Sequence, residues 1–483
     1  MFKSISMETP FQVNQTIRFA DLLPNAGLEM ILAGKNSSGK FQIALYTFSQ
    51  SQNKESPSPT LFSKIDIPDD FLFFDIGNRF NQEGKKGLDA LYFFSLNSIM
   101  HFNINTKQFD KILTVHSMYL QPQPDYFQYL DFVMDLNGDG KDDIIIQDFH
   151  HIRVNIQKNV DSYIAQNVDI PTRMIATENN VSYHPRQIFS TDMNMDGSKD
   201  IVFFQEGKLL TYLQNSEGQF AQIPQEIKLN LALSDKNWWE LKGDDGENID
   251  QSHVDHQMFY QIKDLNHDGI SDLVTLHNKI GGVFKQTNDY EIFFGKKEQG
   301  KLSYPTIADS IIHSDGTQFD LSLLDLNDDG ILEAVVSSVN IGVSQIVGAL
   351  LTGSIDQDVH FFQLNGERTY PSKPNLSRET QIKFSLSSGT QSAPVVKVVD
   401  FNGDGIKDLM LKTDKKTLKI YSGVRDSQLF TRSYVKQNTL LPSDGNMLIT
   451  SDLNQDGKQD VVIRYGKEDE ISLKKQLTIL FAQ

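Results

Sequence analysis

The chain has 483 residues and no cysteine, and its 45 Lys and Arg against 63 Asp and Glu give a formal net charge of −18. Disulfides, thiolate metal sites and Cys nucleophiles are therefore excluded, and a surface this acidic argues against nucleic acid or an anionic membrane as partner. Hydrophobic residues at 39% and aromatics at 10% suffice for a large core, while no apolar run approaches the roughly 18 residues that a membrane-spanning helix needs.

The opening stretch, MFKSISMETPFQVNQ, has no apolar signal core and no small-residue cleavage site. The first repeated unit follows. Asp21-Leu22-Leu23-Pro24-Asn25-Ala26-Gly27-Leu28-Glu29 sets two acids eight positions apart and leads into MILAG, but has no ligand at its third position and no Asp-Gly pair. A second unit starts at Asp75 and runs through an insertion to Gly87-Leu88-Asp89 and the strand ALYFF. Both read as degenerate loops that hold no metal.

Six regular copies come next. DLNGDGKDD at Asp135 recurs as DMNMDGSKD at Asp192, DLNHDGISD at Asp264, DLNDDGILE at Asp325, DFNGDGIKD at Asp400 and DLNQDGKQD at Asp452. Oxygen side chains at alternating positions, with a glycine permitting a sharp turn, wrap a hard cation of the calcium class. The first position supplies Asp135, Asp192, Asp264, Asp325, Asp400 and Asp452; the third supplies Asn137, Asn194, Asn266, Asn327, Asn402 and Asn454. The fifth supplies Asp139, Asp196, Asp268, Asp329, Asp404 and Asp456, and the ninth Asp143, Asp200, Asp272, Glu333, Asp408 and Asp460. The main-chain carbonyls of Lys141, Ser198, Ile270, Ile331, Ile406 and Lys458, at the seventh position, would complete each cage. A plain Asx turn would not ask for an acid at the ninth position, so about six structural Ca²⁺ ions are expected. An EF-hand requires a bidentate Glu at the twelfth position and a helix beyond it. Here the twelfth residues are Ile146, Phe203, Thr275, Val336, Leu411 and Ile463, and strand-forming runs follow.

Each loop lies between two apolar runs, such as APVVKVV and DLMLK, and a third follows, as in YEIFFG, LKIYSG and LTILFA. With a more variable fourth run, each unit is a four-stranded β sheet. The eight units start 52 to 75 residues apart, the size of a blade. Radial repetition of such sheets is the β-propeller answer to exposed edges. The prediction is an all-β, eight-bladed propeller spanning 1–483 as one domain. The opening segment FKSIS through FQVNQ supplies the outer strand missing from the last unit; seven blades is the alternative if the first unit serves only as closure.

Repeated DxNxDGxxD loops between blade strands resemble the FG-GAP/VCBS propeller repeats known from integrin α-subunit heads and bacterial surface and secreted proteins. The resemblance covers nearly the whole chain and rests on the six loops, with Phe294-Gly295 as the nearest approach to the FG word. It implies that the loops bind Ca²⁺ and join the first and second strands of each blade. Loops of this class bind at roughly 10⁻⁴–10⁻³ M in extracellular modules. The expected location is therefore extracellular, cell-surface or periplasmic, any signal peptide having been removed.

The insertions fall on the face opposite the calcium loops. One runs from Asn237-Trp238-Trp239-Glu240 to His253-Val254-Asp255-His256, another is the second-to-third-strand loop His277–Gly282, and a third is Asn340–Gln345 on the next unit. Trp238 and Trp239, the only tryptophans, with His253 and His256, are the candidate ligand face for a protein or glycan partner. Each Trp is equally readable as a core residue of an outer strand, and the histidines as plain surface residues or, with Asp255, as a metal or acid/base cluster. Asp244, Asp245, Glu247 and Asp250 form a further acidic group, and Gln363–Lys383 reads as a polar excursion. No G-x-S-x-G, P-loop, dinucleotide fingerprint or H-E-x-x-H is present. A non-enzymatic adhesion or recognition module is the leading expectation. A structural subunit of a larger surface or toxin-like assembly is the second, and a polysaccharide lyase using His253, His256 and Tyr260 the third.

Overall fold

A computed structural model of the chain describes residues 2–483 apart from 25–26, 50–57, 81–85, 124, 160–161, 178–179, 242–249, 251–252, 283–285, 315, 341–352, 367, 384–391 and 427. Eight antiparallel sheets follow one another along the chain, each ordered from first to last strand. Blade 1 consists of Arg18–Ala20, Glu29–Lys35, Phe41–Ser49 and Ser58–Asp66. Blade 2 consists of Phe71–Phe80, Lys86–Ser95, Ser98–Asn103 and Gln108–Thr114, with Gln128–Tyr129 added in parallel along its first strand. The calcium-type loops then sit between first and second strands in blades 3 to 8, whose second strands begin at Asp143, Asp200, Asp272, Glu333, Asp408 and Asp460. The ring closes as the sequence predicts: Phe2–Glu8 lies antiparallel on Gln476–Ala482, from Phe2 opposite Ala482 to Glu8 opposite Gln476, and becomes the fourth strand of blade 8.

These strands are near-continuous apolar runs because both faces of each sheet are covered. In blade 7, Leu409 and Leu411 pack toward blade 6 while Met410 packs toward blade 8. Every junction between neighbouring blades has its own core, and the blade 8 to blade 1 junction is filled by Val462, Leu477, Ile479 and Phe481 against Met30, Leu32, Ala44 and Tyr46.

Three expectations change. His253–His256 and His277–Gly281 are not loops; they belong to the strands His253–Lys263 and Asp272–Gly281, which pair from His253 opposite Gly281 to Lys263 opposite Asp272. These strands run past the body of the blade, so their outer halves lack the apolar pattern that marks a buried strand. The polar excursion at Gln363–Lys383 ends in Leu376–Lys383, the fourth strand of blade 6. The first strand of blade 2 runs straight through Asp75, so no loop begins there. Of the remaining insertions, 341–345 and the acids Asp244, Asp245 and Glu247 fall outside the described residues. Two hairpins extend the ring: Arg173–Thr177 with Asn180–His184 before blade 4, and Lys296–Glu298 with Lys301–Ser303 inside blade 5.

Candidate functional site

In all six loops the first-position Asp accepts a hydrogen bond from the glycine amide five residues on, at 2.7–3.0 Å. The third-position Asn oxygen accepts from the fifth-position amide, and the fifth-position Asp from the seventh. The glycine is needed because its φ lies between 81° and 90° in five of the loops at 197, 269, 330, 405 and 457, and is 82° at Gly140.

The ninth-position acids do something else. All six are 0–1% exposed. In five loops one oxygen accepts the second-position amide: from Met193, Leu265, Leu326, Phe401 and Leu453, at 2.8–3.1 Å. In Asp200, Asp272, Asp408 and Asp460 the other oxygen accepts an amide from the end of the third strand, from Gln214, Gly295, Gly423 and Ala482, and Asp143 accepts the equivalent amide of Gln157, all at 2.8–2.9 Å. The acid thus pins its loop to the blade behind it. Glu29 makes the loop side of this connection in the degenerate first unit, its Oε2 accepting from Leu22 at 2.8 Å and Leu23 at 3.1 Å with no exposure. An acid at this position therefore has a structural task that needs no metal.

Burial, followed by the first- and fifth-position carboxylates of the same loop, pushes the ninth-position acids up: to about 7 for Asp143, Asp272, Glu333 and Asp460, and to about 6 for Asp408. Asp200 is raised for the same reasons. Three carboxylates that repel one another, one of them buried, form an all-oxygen set suited to a hard divalent cation. The first loop also leaves Asp135 Oδ1 and Asp143 Oδ2 buried with no hydrogen-bond partner. Elsewhere the carboxylates turn toward the loops' own amides, and among the described residues no three acidic or His side chains converge closely enough to hold a metal. Each carboxylate oxygen has a second lone pair, so these amide bonds leave acceptor capacity for an ion.

The loops also bind one another. Leu332 donates to Leu265 O at 3.2 Å, Lys407 to Leu326 O at 3.2 Å, Gln459 to Asp400 O at 2.9 Å and Leu28 to Leu453 O at 3.3 Å. In each case the eighth-position amide reaches the first or second residue of the preceding blade's loop. Asp89 carries the line on from blade 1 to blade 2, donating to Asp21 O at 2.7 Å, so these backbone bonds link the loops from blade 5 round through blade 8 to blade 2.

On the other face, Trp238–Glu240 forms one 3-10 turn in the blade 4 to blade 5 connection. Neither Trp is an outer-strand core residue: Trp239 is 55% exposed, and the two rings meet edge to face with centroids 5.5 Å apart. The turn is held by its flanks. Glu240 accepts from the Asn237 amide at 3.0 Å and pairs with Arg173 at 2.7 Å, and Arg173 also donates to Asp235 O at 2.7 Å. His256 Nε2 lies 2.8 Å from Lys236 O, so it donates to that carbonyl and braces the same turn. His253 is exposed. Asp255 turns instead to His277, Nε2 to Oδ1 at 2.5 Å, and His277 Nδ1 lies 2.7 Å from Glu291. The structure therefore separates His253, His256 and Asp255. It assembles an Asp-His-Glu row across three strands of blade 5, which sequence reading missed because the members lie 22 and 14 residues apart.

The tryptophans border a cavity of about 640 Å³ together with Leu276, Asn278 and Ile280 from the extended blade 5 hairpin and Gln318 from blade 6, and it reaches Asn446 of blade 8. Among the described residues no helix is long and apolar enough to cross a membrane.

No protein-family profile and no curated protein sequence matches this chain. Solved structures similar to it include BBS1N in complex with ARL6DN (10% identity over 100% of this chain and 97% of that one, TM-score 0.39). The Pseudomonas aeruginosa periplasmic gluconolactonase PpgL is similar at 10% identity over 85% and 96%, TM-score 0.31. The V. cholerae biofilm matrix protein Bap1 is similar at 9% identity over 90% and 90%, TM-score 0.25. Likeness at this level carries no statement about activity or ligand. What the chain itself shows is an eight-bladed propeller of four-stranded antiparallel blades.

Proposed function

We propose that this chain is a calcium-stabilised recognition propeller of the FG-GAP/VCBS type, acting outside the cytoplasm without catalysis and taking a protein or glycan ligand at the Trp238/Trp239 cavity. The observation that carries the reading is that cavity, which gathers both tryptophans over a rigid ring, opposite the loops that would bind metal. Aromatic side chains on a braced connection give contact area at small entropic cost. The described lining residues carry no titratable side chain, which favours binding over acid/base chemistry. At each of the six loops, Ca²⁺ would be held by the first, third, fifth and ninth side chains with the seventh carbonyl. Its contribution is charge neutralisation and rigidity.

Affinity electrophoresis tests the reading, in gels cast with a panel of polysaccharides or immobilised protein extracts, with calcium throughout. Retardation of the wild type that is lost in Trp239→Ala places recognition in the cavity. Retardation that Trp239→Ala leaves unaltered would place the ligand elsewhere and end this reading. A trail of degraded polysaccharide behind the band would make the protein a lyase instead.

A further inference from the structure

Resting on the reading above that this cavity is the recognition site, we infer that it takes the end of a neutral carbohydrate chain, and not a charged glycan or a peptide. Charged residues make up 22% of the chain, yet none of the described residues lining the cavity is charged. Among the described lining residues a carboxylated sugar would meet no cation, and a cationic ligand no acid. Desolvating an unpaired charge is strongly unfavourable, so the wall selects against both.

The wall is not inert either. Gln318 is 1% exposed and its amide orientation is fixed: Nε2 donates to Asn288 O at 2.7 Å and to Ile312 O at 3.1 Å, while its backbone is bound on both sides to the Asn288 side chain. With both carbonyls claimed by Nε2, the oxygen must be Oε1, and this buried acceptor has no partner. Nδ2 of Asn278, another lining residue, is a buried donor with no partner. Leaving such groups unmet costs about 1–3 kcal/mol each, and a purely apolar ligand would leave them unmet. A sugar hydroxyl both donates and accepts, so a polyol satisfies a lone acceptor and a lone donor with the same kind of group. Ser392, Thr287 and Thr317 add hydroxyls around them.

The third requirement of a sugar site is an apolar plane for the C–H faces of the ring. Trp238 and Trp239 offer two, set at 85° to each other. A volume of about 640 Å³ lies within the roughly 300–1,000 Å³ of small-ligand sites. It suits a short oligosaccharide end.

Because the only two tryptophans both line the cavity, intrinsic tryptophan emission reports on this site alone. The full chain in calcium buffer is titrated with cellotetraose, maltotetraose, mannotetraose and β-1,4-galactotetraose, with tetragalacturonate, and with an uncharged acetylated alanine tetrapeptide amide. A saturable emission change with at least one neutral tetrasaccharide is expected at millimolar concentration or below. Tetragalacturonate should be at least tenfold weaker. Asn278→Asp, which places a charge in the wall, should weaken the neutral sugar tenfold or more; Thr287→Val serves as a milder second variant, and unchanged melting shows that both fold. Tighter binding of tetragalacturonate, or a neutral sugar bound equally well by Asn278→Asp and Thr287→Val, would overturn the inference. A response to the tetrapeptide alone would also overturn it while leaving the recognition cavity in place. Silence to every probe, together with ligand retardation that survives Trp239→Ala, would remove both.

Discussion

The ninth residue of each loop is a buried acceptor of backbone amides, and mutation can tell that task apart from the metal binding proposed for the loop. Asp460 is buried and holds the amides of Leu453 and Ala482, whereas Asp456, at the fifth position of the same loop, is exposed and bonds only within the loop. Asp460→Ala should lower stability by about 1–3 kcal/mol for each amide it orphans, with calcium or with chelator. Asp456→Ala should lower stability in calcium and have little effect in chelator. Denaturant unfolding of both variants in both buffers decides the matter; if chelation erases the Asp460→Ala effect as well, the pinning role is wrong. Asp75 shows the same chemistry without a loop. Its carboxylate accepts from Phe132 and Val133 at 2.7 Å each and from Ile76 at 2.7 Å, and burial, only partly offset by these bonds, raises it to about 6. A carboxyl with a raised folded-state pKa binds its proton more tightly in the native protein. Its contribution is full below about pH 4, the unfolded value, and is lost as pH climbs through about 6. Relative to Asp75→Asn, which does not titrate, the wild type should therefore gain stability as pH falls from 8 to 4.5. A constant gap between the two across that range would contradict the assignment.

At the scale of elements, the Trp238–Glu240 turn is a short piece of chain whose order comes from its neighbours. A three-residue 3-10 turn has almost no stability of its own. Arg173, from a hairpin that precedes blade 4, supplies the ion pair to Glu240 and a bond to Asp235 O. Arg173→Ala should change global stability by about 1 kcal/mol or less, since the pair is partly solvated. It should nonetheless loosen the turn and increase iodide quenching of tryptophan emission. Unchanged quenching would mean that His256 and the Asn237–Glu240 bond hold the turn unaided. The presence of this turn is legible from composition, because two adjacent tryptophans in a polar connection stand out. Its brace is not, because Arg173 lies 67 residues from Glu240.

At the scale of the whole molecule, backbone hydrogen bonds link the loops from blade 5 round through blade 8 to the degenerate units at Leu28 and Asp89. An ion held in one of the linked loops would stiffen its neighbours as well as its own loop. At tenfold over its dissociation constant each ion adds about 1.4 kcal/mol. The acid clusters it neutralises belong to a chain of net charge −18. Chelation should therefore lower the melting temperature, and more at 20 mM than at 500 mM salt, because screening already relieves part of the repulsion. Calcium should restore it better than magnesium, which demands stricter octahedral geometry. A melting temperature indifferent to chelator at both salt concentrations would sink the calcium assignment.

By itself the sequence determined the four-stranded unit, the strand that closes the ring and the position of every regular loop, and it favoured eight blades over seven. These follow from local pattern: apolar runs buried on both faces, glycines where φ must be positive, and acids at fixed spacing. Only the tertiary structure decided the rest. The ninth acid is a buried pin, because amides from the third strand come within reach only once the blade has formed. The outer halves of the blade 5 strands are strands because they pair with each other, although their polar residues read as loop. The cavity exists because five blades and connections bring Trp238, Asn278, Gln318, Ser392 and Asn446 to one mouth. Contacts between residues so far apart in the chain leave no period or spacing to read. They are fixed by the closure of the ring.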